Sequence, residues 1–460
     1  MCGIDDKQAV NAPVQITEGG LRVADFDDLV ERARYVANLP ELRNSHVGFV
    51  GYGQTKPGDR VLMAVDNHYD RDVVLALVTA LRERGARVDA LTVDAGPDRP
   101  FDLLDEVRVT MRRRPWADEP RRWEGLPWVE ALAEREGYDL LIHGKGGPTP
   151  RTDYRYAQFP WMGRDHFTQG VAIYPQELLA LINQKTWDVI WKKGRGGRAH
   201  ITDPEGTDIT YSYLEDYYDG THYGWVPEPR HVYGHLMSHP TPPLVQHADA
   251  EGVVKGTTSH FSRAFTPISL TLDGGQVQAV QGGEAYGDAW RDLLAESRHQ
   301  QYPCFPRPGL FYLWEAAIGG HPKIQRPHNI EYLSSGGFEW ERRRSGIIHL
   351  GFGTLWRAPE EAWAGERGIL YGHLHVHLLF PTYDVISPSG ESTRIIENGR
   401  ITAMDDPEVR AVAAKYGDPD ELLREDWQAP IPGISVAGSY DDYARNPAEW
   451  IYRTAAMAAE

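Results

Sequence analysis

A buried strand followed by an amphipathic helix opens the regular part of the chain. Residues 61–65 form an uninterrupted apolar run, and residues 66–70 form a polar turn. The next stretch, up to residue 84, repeats apolar side chains at a spacing of about 3.6 residues, which predicts a helix that buries one face. Gly85 stands where a left-handed cap ends a helix. Because a second strand follows at 87–93, the pattern predicts a βαβ unit.

Further elements follow in the same way. A short apolar strand at 139–143 ends in a glycine turn, which would lie at the carboxyl edge of a parallel sheet. Residues 174–191 read as one or two helices, and residues 406–416 as another. Two segments, 200–212 and 267–280, each contain a turn between short strands and predict hairpins.

These elements fall into an earlier half with parallel-sheet character and a later half rich in strands. A chain of 460 residues is also too long for one ordinary core. We therefore predict an α/β protein of two domains. Residues 1–214 would form an open parallel-sheet, Rossmann-like α/β domain, and residues 215–460 a β-rich α+β domain that binds metal and carries the catalytic site.

Composition and charge narrow the possible partners. Hydrophobic residues make up 41% of the chain and charged residues 25%, which is typical of a soluble globular protein. The formal net charge of −18 repels phosphate backbones and anionic membranes, so we expect neither nucleic acid nor membrane as a partner. The two cysteines, Cys2 and Cys304, exclude a disulfide framework and a cysteine-based zinc site. Since the first residues lack a secretory pattern, we expect a cytoplasmic protein.

Three histidines alternate along residues 371–380 (Tyr-Gly-His-Leu-His-Val-His-Leu-Leu-Phe). In a strand, successive side chains point to opposite faces, so His373, His375 and His377 share one face. Each buried imidazole needs partners for two ring nitrogens, which makes three of them costly for packing alone. The pattern therefore indicates a metal-binding surface. The alternative is that each histidine is an ordinary core or surface residue.

Four phrases of the second half occur in a fixed order. They are residues 233–240, 313–323, 347–353 and 373–380. This order, and the spacing of the last three phrases, resemble the thermophilic metalloaminopeptidase family of the aminopeptidase T and S type. The phrase at 206–211 and the strand and helix that follow residue 57 are also similar to that family. The resemblance covers roughly residues 50–400 and implies that Glu315, His349 and His375 bind metal.

Three positions depart from the family pattern. His235 stands where the family has a carboxylate, His377 replaces an aspartate, and Trp356 replaces a tyrosine. An indole nitrogen has no available lone pair, so Trp356 cannot ligate a metal. A two-metal hydrolase needs bridging carboxylates, and these replacements therefore favour a site for a single metal ion.

The resemblance extends to non-haem iron enzymes of the 2,5-dihydroxypyridine 5,6-dioxygenase type. It implies one divalent metal, with Fe(II) favoured and Zn, Mn or Co as alternatives. The ligands would be His349 and His375, together with His377 or Glu315.

The function that this resemblance implies is ring-cleaving oxidation of a small aromatic or heteroaromatic metabolite by O₂. His235, His373 or Glu315 would act on the substrate beside the metal, and His373 is also a candidate for an outer contact that orients a ligand. The resemblance also implies a homodimer, because a dimer surface is typical of this family. Two alternatives stay open: a Zn- or Co-dependent aminopeptidase or amidohydrolase that uses Glu315 as ligand or base, and a metal-binding protein without catalytic activity.

Overall fold

The computed structural model describes most of the chain. The described ranges are 25–39, 42–44, 48–50, 52–115, 127–144, 155–214, 235–237, 248–303, 305–326, 330–332, 341–354 and 359–452. The strands within them are β1 (Leu42–Asn44), β2 (Gly48–Val50), β3 (Arg60–Asp66), β4 (Arg87–Val93), β5 (Met111–Arg112), β6 (Leu140–His143), β7 (Tyr156–Gln158), β8 (Arg198–Asp203), β9 (Thr207–Ser212), β10 (His235–Met237), β11 (Glu251–Thr258), β12 (Ala264–Asp273), β13 (Gln276–Gly282), β14 (Leu313–Gly319), β15 (Ile348–Gly353), β16 (Tyr371–Leu378), β17 (Thr382–Ile386), β18 (Ser392–Glu397) and β19 (Arg400–Ile401). The α-helices are α1 (Phe26–Asn38), α2 (Arg71–Glu83), α3 (Leu103–Thr110), α4 (Pro127–Arg135), α5 (Arg164–Thr168), α6 (Gln176–Asp188), α7 (Glu284–Ser297), α8 (Pro359–Gly365), α9 (Pro407–Ala413), α10 (Pro419–Leu422), α11 (Tyr440–Arg445) and α12 (Pro447–Ile451).

The chain divides into two compact units. The first unit contains the described residues up to 97, those between 121 and 178, and residues 405–424. Its main sheet has four parallel strands in the order β4-β3-β6-β7. The second unit contains the rest and holds two large antiparallel sheets. The molecule is thus an α/β protein, as predicted, whereas the predicted domain boundary after residue 214 stays a prediction.

The βαβ prediction is confirmed in the first unit. Strands β3 and β4 pair in parallel over their whole length, with α2 between them in the sequence. Asp70 caps α2, because its side chain accepts hydrogen bonds from the backbone N–H groups of Asp72 and Val73. Gly85 follows the helix at φ +90°, a conformation that favours glycine.

The other predicted elements are also present. The segment at 139–143 forms β6, parallel to β3, and the hairpins at 200–212 and 267–280 are β8–β9 and β12–β13. The helix predicted at 174–191 is α6, continued by a π-helical turn at Val189–Lys193. The helix predicted at 406–416 is α9, capped by Asp406. Among the described residues, no helix combines the length and hydrophobicity that a membrane crossing needs.

The second unit is built on two antiparallel sheets. One has five strands in the order β10-β14-β15-β16-β5, and the other has eight in the order β13-β12-β11-β9-β8-β17-β18-β19. Every residue of β14, β15 and β16 is buried. On β16, Val376 packs so tightly against β11 that a Cβ on Gly256 would lie 2.6 Å from its Cγ1. Both faces of β16 are therefore covered, including the face that carries the histidines.

Candidate metal centre

Strand register brings four of the expected site residues into two neighbouring rows. Glu315 on β14 is paired with Gly351 on β15, and Gly351 is paired with His375 on β16. The neighbouring row pairs His349 with His377. Directly paired residues on antiparallel strands lie on the same face of the sheet, so these side chains share one surface.

Gly351 makes room for the centre of this row. A Cβ placed on Gly351 would lie 2.7 Å from Nε2 of His375 and 3.1 Å from Oε2 of Glu315. These separations are far below an ordinary van der Waals contact. The glycine therefore leaves the space that the carboxylate and the imidazole occupy.

Glu315 joins the two imidazoles. Its Oε1 lies 2.9 Å from Nε2 of His349, and its Oε2 lies 2.9 Å from Nε2 of His375. The potential ligand atoms of Glu315, His349 and His375 all lie within 4.8 Å of one another. Two imidazole nitrogens and one carboxylate oxygen form a donor set that suits Fe(II), Zn²⁺ and related divalent ions. The residues present therefore fit a metal ion.

Burial controls the charge of the rings. It lowers the pKa of His375 to about 4 and that of His373 to about 3, and it lowers the pKa of His377 well below its ordinary value. These imidazoles are neutral at neutral pH, which is the form that binds metal. Burial by itself would raise the pKa of Glu315, but the two neighbouring imidazoles outweigh it and hold that pKa well below its usual range. The site therefore combines an ionised Glu315 carboxylate with the neutral ring of His375.

A bulge in β14 adds an aromatic side chain to the site. Leu313 is paired with Phe352 and Glu315 with Gly351, so Trp314 is an extra residue between two consecutive pairs. The centre of its ring system lies 5.1 Å from the His373 ring and 6.2 Å from the His375 ring. Its indole N–H is buried and has no hydrogen-bond partner among the described residues. The bulge thus places an aromatic wall and a free donor next to the histidines.

A second group of imidazoles lies beside the first. His260, His373 and His375 also have potential ligand atoms within 4.8 Å of one another. The His260 ring stacks on His375, with ring centres 4.0 Å apart and planes at 16°. His260 was not among the residues expected from the sequence. It stands more than a hundred positions before His375, in a turn after β11, and no spacing pattern links the two.

The remaining expected residues are placed as follows. His377 is fully buried, with its ring centre 5.7 Å from that of His349, and neither of its nitrogens has a hydrogen-bond partner among the described residues. It belongs to neither group of converging ligand atoms in that part of the chain. The backbone of His235 pairs with Gly319 at the edge of the sheet, but its side chain is outside the described residues. Trp356 also lies outside them.

Comparisons with known proteins give little beyond this geometry. No family model and no curated protein matches the chain. Among solved structures, the chain is similar to 2,5-dihydroxypyridine dioxygenase from Pseudomonas putida KT2440, at 15% sequence identity and a TM-score of 0.44. The match covers 84% of this chain and 99% of that one.

Proposed function

We propose that the protein is a mononuclear non-haem metal oxygenase, with Fe(II) the favoured ion, that cleaves the ring of a small aromatic or heteroaromatic metabolite. The observation that carries this proposal is the buried carboxylate of Glu315, which faces the Nε2 atoms of His349 and His375. Two histidines and one carboxylate leave coordination positions open at an iron centre. Bound Fe(II) would supply the site at which substrate and O₂ meet.

The surrounding residues support an aromatic substrate. Trp314 offers a flat apolar surface and an N–H donor next to His373, so a planar ring that carries an oxygen substituent suits this position. The Nδ1–H of His373 donates to the backbone carbonyl of Thr354 at 3.1 Å, which fixes the ring and leaves Nε2 as an acceptor. In the proposal His373 therefore accepts a hydrogen bond from a substrate hydroxyl, and His235 stays a candidate for proton transfer. The third metal ligand in this proposal is Glu315, and His377 is the alternative third ligand.

Removal of one imidazole tests the ligand assignment. We expect His375→Ala to reduce the Fe(II) content from about one ion per chain to near zero, because two remaining ligands hold a divalent ion weakly, and we expect His349→Ala to lower the affinity for Fe(II). The measurement is elemental analysis of anaerobically purified, Fe(II)-reconstituted protein. The matched control is His200→Ala, which removes an exposed histidine bonded to Asp208 on the other sheet. Full Fe(II) content in His375→Ala, or an unchanged Fe(II) affinity in His349→Ala, would contradict the assignment.

Oxygen consumption tests the reaction. We expect the Fe(II)-loaded protein to take up O₂ with dihydroxylated pyridines or benzenes, including 2,5-dihydroxypyridine, and the His375→Ala variant to show no uptake above background. Release of amino-terminal residues from peptides by the Zn- or Co-loaded protein, without O₂ uptake, would replace this proposal with the hydrolase. Against a two-metal hydrolase, Glu315 is the one carboxylate in the groups of described residues that could hold a metal.

The proposal includes a cytoplasmic homodimer. Light scattering of the purified protein tests the dimer, and a mass of 51.8 kDa instead of twice that value would reject it.

A further inference from the structure

One ring nitrogen of His375, Nδ1, takes no part in the contact with Glu315. A carboxylate can only accept hydrogen bonds, so the contact at 2.9 Å makes the Nε2 of His375 a donor in the metal-free protein. A neutral imidazole has one N–H, and Nδ1 therefore carries a lone pair. That Nδ1 is buried and has no hydrogen-bond partner among the described residues. A buried acceptor without a partner is unfavourable, and a cation at this position would satisfy it.

His373 is arranged as metal-binding histidines usually are. Its Nδ1–H donates to the carbonyl oxygen of Thr354, a bond that fixes the ring and directs the Nε2 lone pair away from the backbone. His373 and His375 lie two residues apart on β16, with ring centres 5.0 Å apart.

His260 is held beside this pair by its own turn. The backbone N–H of Ser259 donates to the carbonyl of Arg263, and Ser262 adopts a left-handed φ of 59°. The carboxylate of Glu106, on α3, accepts hydrogen bonds from the Ser259 hydroxyl and the Phe261 N–H. His260 therefore sits in a fixed turn, while its ring is the most exposed of the three imidazoles at 9%.

We propose that His260, His373 and His375 form a second position for a transition-metal ion, next to the Glu315 position and sharing His375 with it. With an ion there, Glu315 stays an outer carboxylate that binds the Nε2–H of His375, and both nitrogens of that ring have partners. Packing alone does not explain why the buried Nδ1 of His375 has no hydrogen-bond partner among the described residues. The proposal shares His375 with the proposed metal centre but does not depend on an oxygenase reaction.

Ion binding at this position requires a movement of His260. The lone pair of an imidazole lies in the plane of its ring, and two parallel rings 4.0 Å apart cannot both direct such lone pairs at one ion. His260 must therefore turn out of the stack when it binds. Three neutral nitrogen ligands favour Zn²⁺, Co²⁺, Ni²⁺ or Cu²⁺ over Mg²⁺ and Ca²⁺, which prefer oxygen.

The test removes the first position and asks whether binding survives. In the Glu315→Gln/His349→Phe protein, equilibrium dialysis with Co²⁺ should give about one ion per chain, with a visible absorption spectrum of nitrogen ligation. Adding His260→Phe, which keeps a flat ring but removes the nitrogens, should abolish that binding. Adding His200→Phe to the same background should leave it unchanged. A folded double variant that binds no Co²⁺, or binding that survives His260→Phe, would overturn the proposal.

A second measurement covers the case in which the double variant does not fold, as judged by circular dichroism. His260→Phe alone should then weaken Co²⁺ binding at least about tenfold or change its absorption spectrum, and identical isotherms and spectra would reject the second position. These binding measurements test the second metal position separately from the oxygenase reaction. Co²⁺ binding that depends on His260 in a protein without O₂ uptake supports the second position and rejects only the reaction.

Discussion

Among single residues, Gly351 has a steric constraint that acts directly on the groups proposed to bind metal. It lies between Glu315 and His375 in the same row, and its missing side chain is the space that both functional groups use. A methyl group there must displace the carboxylate or the imidazole, because neighbours on both sides are strands of the same sheet.

We therefore expect Gly351→Ala to weaken metal binding by about 10- to 100-fold, the range seen when the groups that orient metal ligands are disturbed. The measurement is a competitive Co²⁺ titration at neutral pH. Gly417→Ala is the control, since a Cβ there would meet only ordinary contacts with Leu422. Unchanged affinity in Gly351→Ala would mean that the row does not form the binding site.

At the scale of elements, the β8–β9 turn carries a buried acidic pair. Burial raises the pKa of Asp203 to about 6, and burial together with the nearby Asp203 raises the pKa of Glu205 to about 8. The Glu205 Oε1 accepts hydrogen bonds from Thr257 and Tyr440, and Asp203 accepts from the N–H of Phe380. The turn therefore connects three separate segments through two carboxyl groups that retain their protons to a higher pH than usual.

This pair makes stability depend on pH with a definite sign. Below the unfolded-state pKa of about 4.3, Glu205 is protonated in both states and its contribution is fully present. As the pH rises towards the folded-state value of about 8, the unfolded state alone loses its proton, and the free energy of unfolding falls. We expect Glu205→Gln to remove about half or more of the loss in stability between about pH 5 and about pH 8, measured by urea unfolding.

The control for that experiment is Glu391→Gln, a substitution at an exposed position in the β17–β18 turn. Its pH dependence should match that of the unmodified protein. If Glu205→Gln also matched the unmodified protein, the buried pair would not be the source of the effect.

For the whole molecule, local patterns predicted the fold better than they predicted the site. The βαβ unit and the hairpins depend on neighbours in sequence, and all of them are present. The histidine strand was predicted from its period of two, and Glu315 and His349 from a resemblance of short phrases. His260 and the bulge at Trp314 could not be predicted, because they depend on strand pairings and on contacts between distant segments. Alternation also failed to indicate that both faces of β16 are covered, since its histidines are as buried as its apolar residues.

Metal binding should stabilise the two units unequally. An ion that binds only the folded protein adds about 2.7 kcal/mol at a free concentration of about one hundred times its Kd. Because the site lies within the second unit, we expect Co²⁺ to slow amide hydrogen exchange in β14, β15 and β16 and to leave β3 and β4 unchanged. Equal protection of both sheets, or protection of β3 and β4 alone, would contradict the location of the site. EDTA should reverse the effect.

The pairing of the three site strands would also give a bound ion a role in the accuracy of folding. Glu315, His349 and His375 come from three different strands, and a slip of one residue in either pairing would turn a ligand to the opposite face. A mispaired sheet would exchange the histidines and the apolar side chains of β16 between its two faces. It would also fail to assemble the ligands. The free energy of binding the proposed ion would therefore add to the difference in free energy between the native register and a slipped one, and a bound metal would favour the correct pairing of these strands.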